Sequence, residues 1–152
     1  DAPLDFDFAK VTEQSKDNPV FYVQYAHARV MSVLRKAAAE GIDVSVATLA
    51  AADLSGATDS QEQAVMAKLA EFPRLVDIAA RNNEPHRVAF YLYELAAEFH
   101  SLQNKGKEDA RLRFLQPDDP VTSQSKIALA KAVSVVISAG LGILGVEPAH
   151  EL

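Results

Sequence analysis

The fold of this chain is decided at residues 18–29, which read NPVFYVQYAHAR. Asparagine followed by proline is a common helix start, because the asparagine side chain accepts free backbone N–H groups and proline suits the first helical position. Apolar residues then return every three to four positions, as one face of a helix requires. The stretch therefore predicts a long helix from Pro19 to about Glu40, with Gly41 at its C-terminal cap.

The outer arc of this predicted helix is rich in aromatic and cationic side chains. Its members are Tyr22, Tyr25, Arg29, Ser32 and Lys36. Tyrosine rings stack on unpaired bases, arginine pairs with phosphates or base edges, and lysine follows a nucleic-acid backbone. The arc is therefore typical of a platform for single-stranded nucleic acid. Periodicity alone favours a plainer interpretation, in which the two tyrosines pack against a neighbouring helix and the cations are solvated.

Composition limits the class of protein. The chain has 152 residues, of which 49% are hydrophobic, so one domain with a real core is expected. It has no cysteine, which excludes disulfides, thiolate metal sites and cysteine nucleophiles. The net charge of −6 argues against coating nucleic acid by bulk electrostatics, but it allows a local basic face.

The first residue of the chain and its most apolar run bear on where the protein is located. The chain starts with Asp1 rather than methionine and shows no signal peptide, which predicts a processed chain or a piece of a longer one. The apolar run at residues 132–146 is too short, and too interrupted by glycine and serine, for a membrane span. We therefore expect a cytoplasmic monomer that does not enter a membrane.

The rest of the chain is also helical in pattern, with glycine and proline mostly between periodic segments. This predicts an all-α fold, a helical bundle of long antiparallel helices with short intervening helices. The further helices are predicted at residues 7–15, 45–52, 61–71, 73–81, 85–104 and 122–144, with one helical turn near 111–114. Two breaks are specific expectations: a restart at Phe72-Pro73 and a stop at Lys105-Gly106.

No catalytic motif is recognised. The chain lacks a His-Glu-x-x-His zinc motif, a phosphate-binding glycine loop and a nucleophile elbow. His86 and His100 are fourteen residues apart on one predicted helix, too far to share a ligand. His27 is predicted to be a hydrogen-bonded structural histidine. We therefore expect no catalytic residue, metal or cofactor in this chain.

The predicted helix 85–104 carries a second aromatic group. Most of its rings are expected in the core, and Val88, Leu92, Leu95, Phe99 and Leu102 form its apolar stripe. Phe99 and Gln103, near the end of the helix, are also candidates to reach outward. The densest basic cluster follows, with Lys105, Lys107, Arg111 and Arg113 diluted by Glu108 and Asp109, which predicts a solvated loop.

Three separated blocks resemble one known family. The first is residues 18–29 with SVLRKA at 32–37. The second is EPHRVAFYLYELA at 84–96, with Phe99-His100 and NKG at 104–106. The third is AVSVVI at 132–137, with Gly140-Leu141 and LGV at 144–146. In this order and spacing they resemble the C-terminal anticodon-binding domain of bacterial arginyl-tRNA synthetases (the DALR type), over essentially the whole chain.

The resemblance implies a helical bundle that cradles the anticodon stem and loop of arginine tRNA. It implies a single domain over residues 1–152, cut from an ATP-dependent arginine–tRNA ligase whose catalytic domain lies upstream in the same chain. DFDF at residues 5–8 resembles the family's segment just after that class I domain. ATP and magnesium would belong to the parent enzyme, because signatures for binding ATP and arginine are absent here.

The resemblance also suggests site residues. Tyr25 and Arg29 match family positions near the anticodon nucleotides. Phe99 and Gln103 match positions at a helix end, where the family often has an aromatic residue, commonly tryptophan in place of Gln103. Leu152 stands where family chains often end in methionine, so it is expected to make an apolar contact. The predicted anticodon-binding residues are Tyr22, Tyr25, Arg29, Lys36, Phe99, Gln103 and Leu152.

The sequence also allows two other interpretations. A helical protein-interaction or phosphotransfer module would use His27 as the phosphoryl acceptor. A related anticodon domain, such as that of the larger subunit of the glycyl enzyme, would share the bundle but should lack the 18–29 block. A nucleotide-binding domain encoded upstream would support the arginyl family.

Overall fold

A computed structural model describes residues 18–152 of the chain. Within this range there are five α-helices and no strand, which confirms the all-α expectation. The helices are α1 Pro19–Ala39, α2 Val46–Ala50, α3 Ser60–Asn82, α4 His86–Glu108 and α5 Pro120–Ile143, with a 3-10 turn at Ala110–Leu112. The helix predicted at residues 7–15 and the DFDF segment lie outside the described residues.

Helix α1 begins and ends as the sequence predicts. The Asn18 side chain accepts hydrogen bonds from the backbone N–H groups of Val20, at 3.1 Å, and Phe21, at 3.3 Å. Pro19 is the first helical residue. Gly41 lies just beyond the helix with a φ of +80°, a left-handed conformation that glycine adopts without steric penalty. Local cap chemistry therefore sets both ends.

The predicted break at Phe72-Pro73 is wrong, because α3 continues through Pro73 to Asn82. A proline inside a helix removes one hydrogen bond and costs about 3 kcal/mol. Phe72 and its neighbours Leu69 and Leu75 pack against the core on both sides of the proline. This shared apolar face holds the two halves in one helix.

The predicted stop at Lys105-Gly106 is also wrong, since α4 continues to Glu108. Gly106 is buried, and a Cβ atom there would lie 3.1 Å from the backbone oxygen of Leu112. The glycine therefore allows the following 3-10 turn to approach the helix closely. It does not end the helix.

Helix α5 begins earlier than predicted, at Pro120, because Asp119 caps it by accepting a 2.9 Å hydrogen bond from the Thr122 N–H. The helix is longer than the apolar run seen in the sequence. It is long and apolar enough to cross a membrane by length and composition, but half of that apolar window is buried inside the structure. Core helices of soluble proteins share this property.

Helix α4 lies at the centre of the bundle and contacts α1, α3 and α5. Its residues Leu92, Leu95 and Phe99 are almost completely buried, together with Val30 of α1 and Ile137 of α5. Burying each such side chain contributes roughly 1.5–3 kcal/mol. Not every ring of α4 joins the core: Tyr91 is buried, whereas Phe90 and Tyr93 are exposed.

Candidate nucleic-acid interface

Tyr25 and Arg29 form a directly bonded pair on the outer side of α1. The Arg29 Nε donates a 2.7 Å hydrogen bond to the Tyr25 hydroxyl, and Arg29 Cζ lies 4.9 Å from the ring centroid. Arg29 is exposed and makes no ion pair with a carboxylate within residues 18–152. The pair therefore presents an ordered, uncompensated guanidinium to solvent.

The two tyrosines of this face differ in their surroundings. The Tyr22 ring lies 5.1 Å from the Tyr93 ring and 4.6 Å from the His100 ring, and it packs against the core. Burial, with a contribution from Tyr93, raises the pKa of the Tyr22 phenol. Packing against a neighbouring helix is therefore the right description for Tyr22. Tyr25 stacks on His100 at 5.3 Å and remains partly exposed.

His100 connects α1 to α4 beneath this surface. Burial lowers the pKa of its imidazole, and the nearby charge of Arg29 lowers it further. The ring is therefore neutral near pH 7, and Arg29 supplies the charge of this face. The half-buried Gln103 lies beside the His100 side chain one turn along α4, and the His100 Nε2 lies 3.4 Å from the Tyr22 backbone oxygen. Sequence reasoning missed this role of His100, although its spacing from Gln103 places both on one helix face.

The expectation that Phe99 reaches outward is wrong. Its side chain has 0% exposure and stacks on the Phe114 ring at 5.7 Å with an interplanar angle of 18°. Adjacent helix residues point about 100° apart. His100 therefore faces Tyr25, while Phe99 points into the bundle and supports the interface from within.

Lys36 extends the cationic face towards the end of α1. It is exposed and lies two turns beyond Arg29, about 10 Å along the helix axis. Residues seven apart share one helix face, so Lys36 and Arg29 can contact the same ligand. Lys36 makes no ion pair in the part of the chain that the structure describes.

The segment after α5 runs along a neighbouring side of α1. The side-chain amide of Gln24 makes two hydrogen bonds to the backbone of this segment. Its Nε2 donates to the Glu147 oxygen at 2.8 Å, and its Oε1 accepts from the Ala149 N–H at 2.7 Å. Arg35 lies 3.5 Å from the Glu151 carboxylate. Leu152 follows; its side chain is 63% exposed and is not one of the hydrophobic residues packed against the core, so the expected apolar contact with the core is not seen.

His27 holds the same segment from beneath. Its Nδ1 lies 2.7 Å from the Ala149 oxygen and its Nε2 lies 3.0 Å from the Ser138 hydroxyl. The carbonyl can only accept, so Nδ1 carries the proton and the hydroxyl donates to Nε2. His27 is only 3% exposed. The predicted structural histidine is confirmed, and neither ring nitrogen is open to a phosphoryl donor.

His27 should make stability depend on pH. Burial lowers its pKa, and His150 and Lys131 add to this effect against the opposing hydrogen bond to Ala149. The unfolded imidazole titrates near 6.5. The stabilisation that comes from keeping the neutral His27 ring buried is therefore complete above about pH 6.5. It is lost as the pH falls towards the lower pKa of the folded state. The free energy of unfolding by urea, measured between pH 5.5 and 7.5, should depend less on pH in His27→Asn than in the unmodified protein.

Asparagine is the informative replacement at position 27, because its side-chain N–H can still donate to Ala149. His27→Ala should instead lose about 1–3 kcal/mol at pH 7.5, since the partly buried Ala149 carbonyl and Ser138 hydroxyl each lose a hydrogen-bond partner. His100, whose pKa is also lowered by burial, remains in both variants. If His27→Asn kept the full pH dependence of the unmodified protein, His27 would not be responsible for it.

Within residues 18–152 no group of three or more His, Cys, Asp or Glu side chains is arranged to hold a metal ion. The candidate interface therefore consists of aromatic, amide and cationic side chains. Arg29, Tyr25, Lys36 and Gln103 are at the surface, and Tyr22 and Phe99 lie behind it. Leu152 lies at the end of the segment 147–152, which Gln24 and His27 hold beside α1 by hydrogen bonds.

The sequence matches a known family and named relatives. The family described as DALR anticodon binding domain matches residues 23–152. The chain is 70% identical over all of its 152 residues to an arginine–tRNA ligase of Cereibacter sphaeroides, and 68% identical to one of Ruegeria pomeroyi. It spans 26% of the length of each of these relatives.

Solved structures show the same fold. The arginyl-tRNA synthetase of Thermus thermophilus superposes with a TM-score of 0.71 at 28% identity, over 97% of this chain and 23% of that one. A Campylobacter jejuni protein superposes with a TM-score of 0.79 at 21% identity, over 97% of this chain and 29% of the other. With the family match covering most of its length, the chain belongs to the DALR anticodon-binding domain family.

Proposed function

We propose that this chain is the anticodon-binding domain of an arginine–tRNA ligase and that it holds the anticodon stem-loop of an arginine tRNA. The observation that carries the proposal is the exposed Tyr25–Arg29 pair, an ordered cation on an aromatic ring. The names of the relatives support the choice of tRNA, and the absence of a recognisable catalytic motif supports a binding role.

Arg29 is the principal contact in this proposal. A guanidinium has five N–H donors, and only the Nε–H is used by Tyr25, so four remain for phosphate oxygens or a base edge. Because Tyr25 already orders the side chain, less conformational entropy is lost on binding. Tyr25 is partly exposed beside this cation, and Lys36 continues the positive face along α1.

The activity of the longer protein is part of the same proposal. A catalytic region upstream would use ATP and magnesium to attach arginine to the tRNA. This domain, comprising residues 1–152, would position the tRNA so that the acceptor end meets that region. Such positioning lowers the entropic barrier of the chemical step. We propose a cytoplasmic monomer that does not enter a membrane.

Arg29→Ala and Tyr25→Ala should weaken tRNA binding and charging by the full-length protein without affecting arginine-dependent pyrophosphate exchange. Loss of a hydrogen bond between the Arg29 guanidinium and the RNA is worth roughly 1.5–3 kcal/mol, or about 13- to 160-fold. Tyr25→Phe is the matched control, because it keeps the ring and removes only the bond to Arg29. Its effect should be smaller than that of Tyr25→Ala.

Melting temperature separates this result from simple destabilisation. If both alanine variants melt early and lose charging and pyrophosphate exchange together, the tyrosine is only a packing residue. Unchanged charging of arginine tRNA by both variants would reject the assignment of this face to the anticodon.

A further inference from the structure

The basic cluster after α4 divides into two kinds of cation. Lys105 is neutralised by both Asp59 oxygens at 2.8 Å. Arg111 bonds Asp109 and lowers the pKa of that carboxyl to about 2. Lys107 and Arg113 have no carboxylate within ion-pair distance among residues 18–152. The cluster therefore leaves two positive charges uncompensated.

These two cations line the same groove. It has a volume of about 440 Å³ and is open to solvent, and its lining residues are Gln103, Gly106, Lys107, Leu112, Arg113 and Phe114. Arg113 Nε donates a 3.1 Å hydrogen bond to the Gly106 oxygen, which fixes the side chain and leaves its terminal nitrogens available. Lys107 Nζ reaches only the Asn104 side chain, at 2.8 Å.

The groove shares one residue, Gln103, with the interface described above. Gln103 lines the groove and lies beside His100, and His100 stacks on Tyr25. His100 and Lys107 are seven residues apart on α4, so they share a face and lie about 10 Å apart along the axis. A ligand leaving Arg29 can therefore pass over Gln103 into the groove, with the buried His100 beneath it.

We propose that this groove is a second RNA subsite, which binds a phosphodiester group of the strand that contacts Arg29. The inference rests on the proposed function. The arginine fork and the lysine point charge both suit a phosphate, and the protein as a whole carries a charge of −6. A strand is therefore attracted to these few uncompensated sites while the rest of the surface repels it.

The test is the salt dependence of tRNA binding by the full-length protein. The association constant K for tRNA falls as salt is added, and each lost phosphate contact should reduce the magnitude of the slope of log K against log salt concentration by about one. Lys107→Ala and Arg113→Ala should each give this change, and the double variant should give a change of about two. Arg111→Ala is the matched control, because it removes an equal charge two residues away whose partner is already Asp109. Its slope should stay near that of the unmodified protein.

The outcomes separate the two proposals. If Arg29→Ala weakens binding but Lys107→Ala and Arg113→Ala leave the slope unchanged, the groove is not a subsite and the proposed function stands. If Arg111→Ala lowers the slope as much as Arg113→Ala, the effect is general electrostatics and the subsite is rejected. If the unmodified protein does not bind tRNA, the proposed function itself fails. Because Arg113 also holds Gly106, Lys107→Ala decides the matter should Arg113→Ala melt early.

Discussion

Phe99→Ala is expected to lower the free energy of unfolding by about 3–5 kcal/mol. The ring has no solvent exposure and stacks on Phe114, in the same core cluster as Leu95 and Leu102. Removing it takes away buried apolar surface and leaves a cavity that the packed helices can fill only in part. Urea unfolding at pH 7.5 measures the effect directly.

Phe99→Leu is the matched control. It keeps an apolar side chain of similar volume and should lose less than about 1.5 kcal/mol. Binding of tRNA by this control, measured well below its melting temperature, should be close to that of the unmodified protein. A Phe99→Ala protein that keeps its stability but loses tRNA affinity would restore Phe99 as a direct contact.

Helical periodicity and family resemblance give different predictions for Phe99, and the reason is physical. Periodicity places it on one stripe with Leu92 and Leu95, while the family resemblance places it at the RNA. Its neighbour His100 faces α1 instead, since one residue turns the helix by about 100°. A family position identifies a helix end near the ligand, but the periodicity decides which of two adjacent side chains enters the core.

Local chemistry explains what could be predicted from the sequence. The Asn18 cap, the Pro19 start and the left-handed Gly41 depend on residues close in the chain, and α1 has the predicted bounds. The four-residue spacing of Tyr25 and Arg29 likewise predicts that they lie one helical turn apart, as the hydrogen bond between their side chains requires.

Long-range contacts explain what could not be predicted. Pro73 is kept inside a helix by packing on both sides. Lys105 is neutralised by Asp59, a residue 46 positions away, so counting charges along the sequence cannot show which cations stay free. The groove proposed as a subsite depends on that distinction.

Lys126→Met is expected to lower the free energy of unfolding by about 3–5 kcal/mol, because it leaves the Glu62 carboxylate buried without its cation. The Lys126 side chain is 10% exposed and that of Glu62 is 4% exposed. Glu62 also accepts a hydrogen bond from the Asp59 backbone at the start of α3. Asp59 in turn binds Lys105, so this ion-pair network holds the end of α4 that carries the proposed subsite.

Two further variants test the cause. Lys68→Met is the matched control: its partners Glu71 and Glu94 are 57% and 60% exposed, so water replaces the lost cation and the loss should stay below about 1 kcal/mol. Adding Glu62→Gln to Lys126→Met should recover most of the stability, because glutamine keeps an acceptor for Asp59 and removes the buried charge. If the double variant is no more stable than Lys126→Met alone, the loss comes from packing around the lysine stem and the unpaired carboxylate is not its cause.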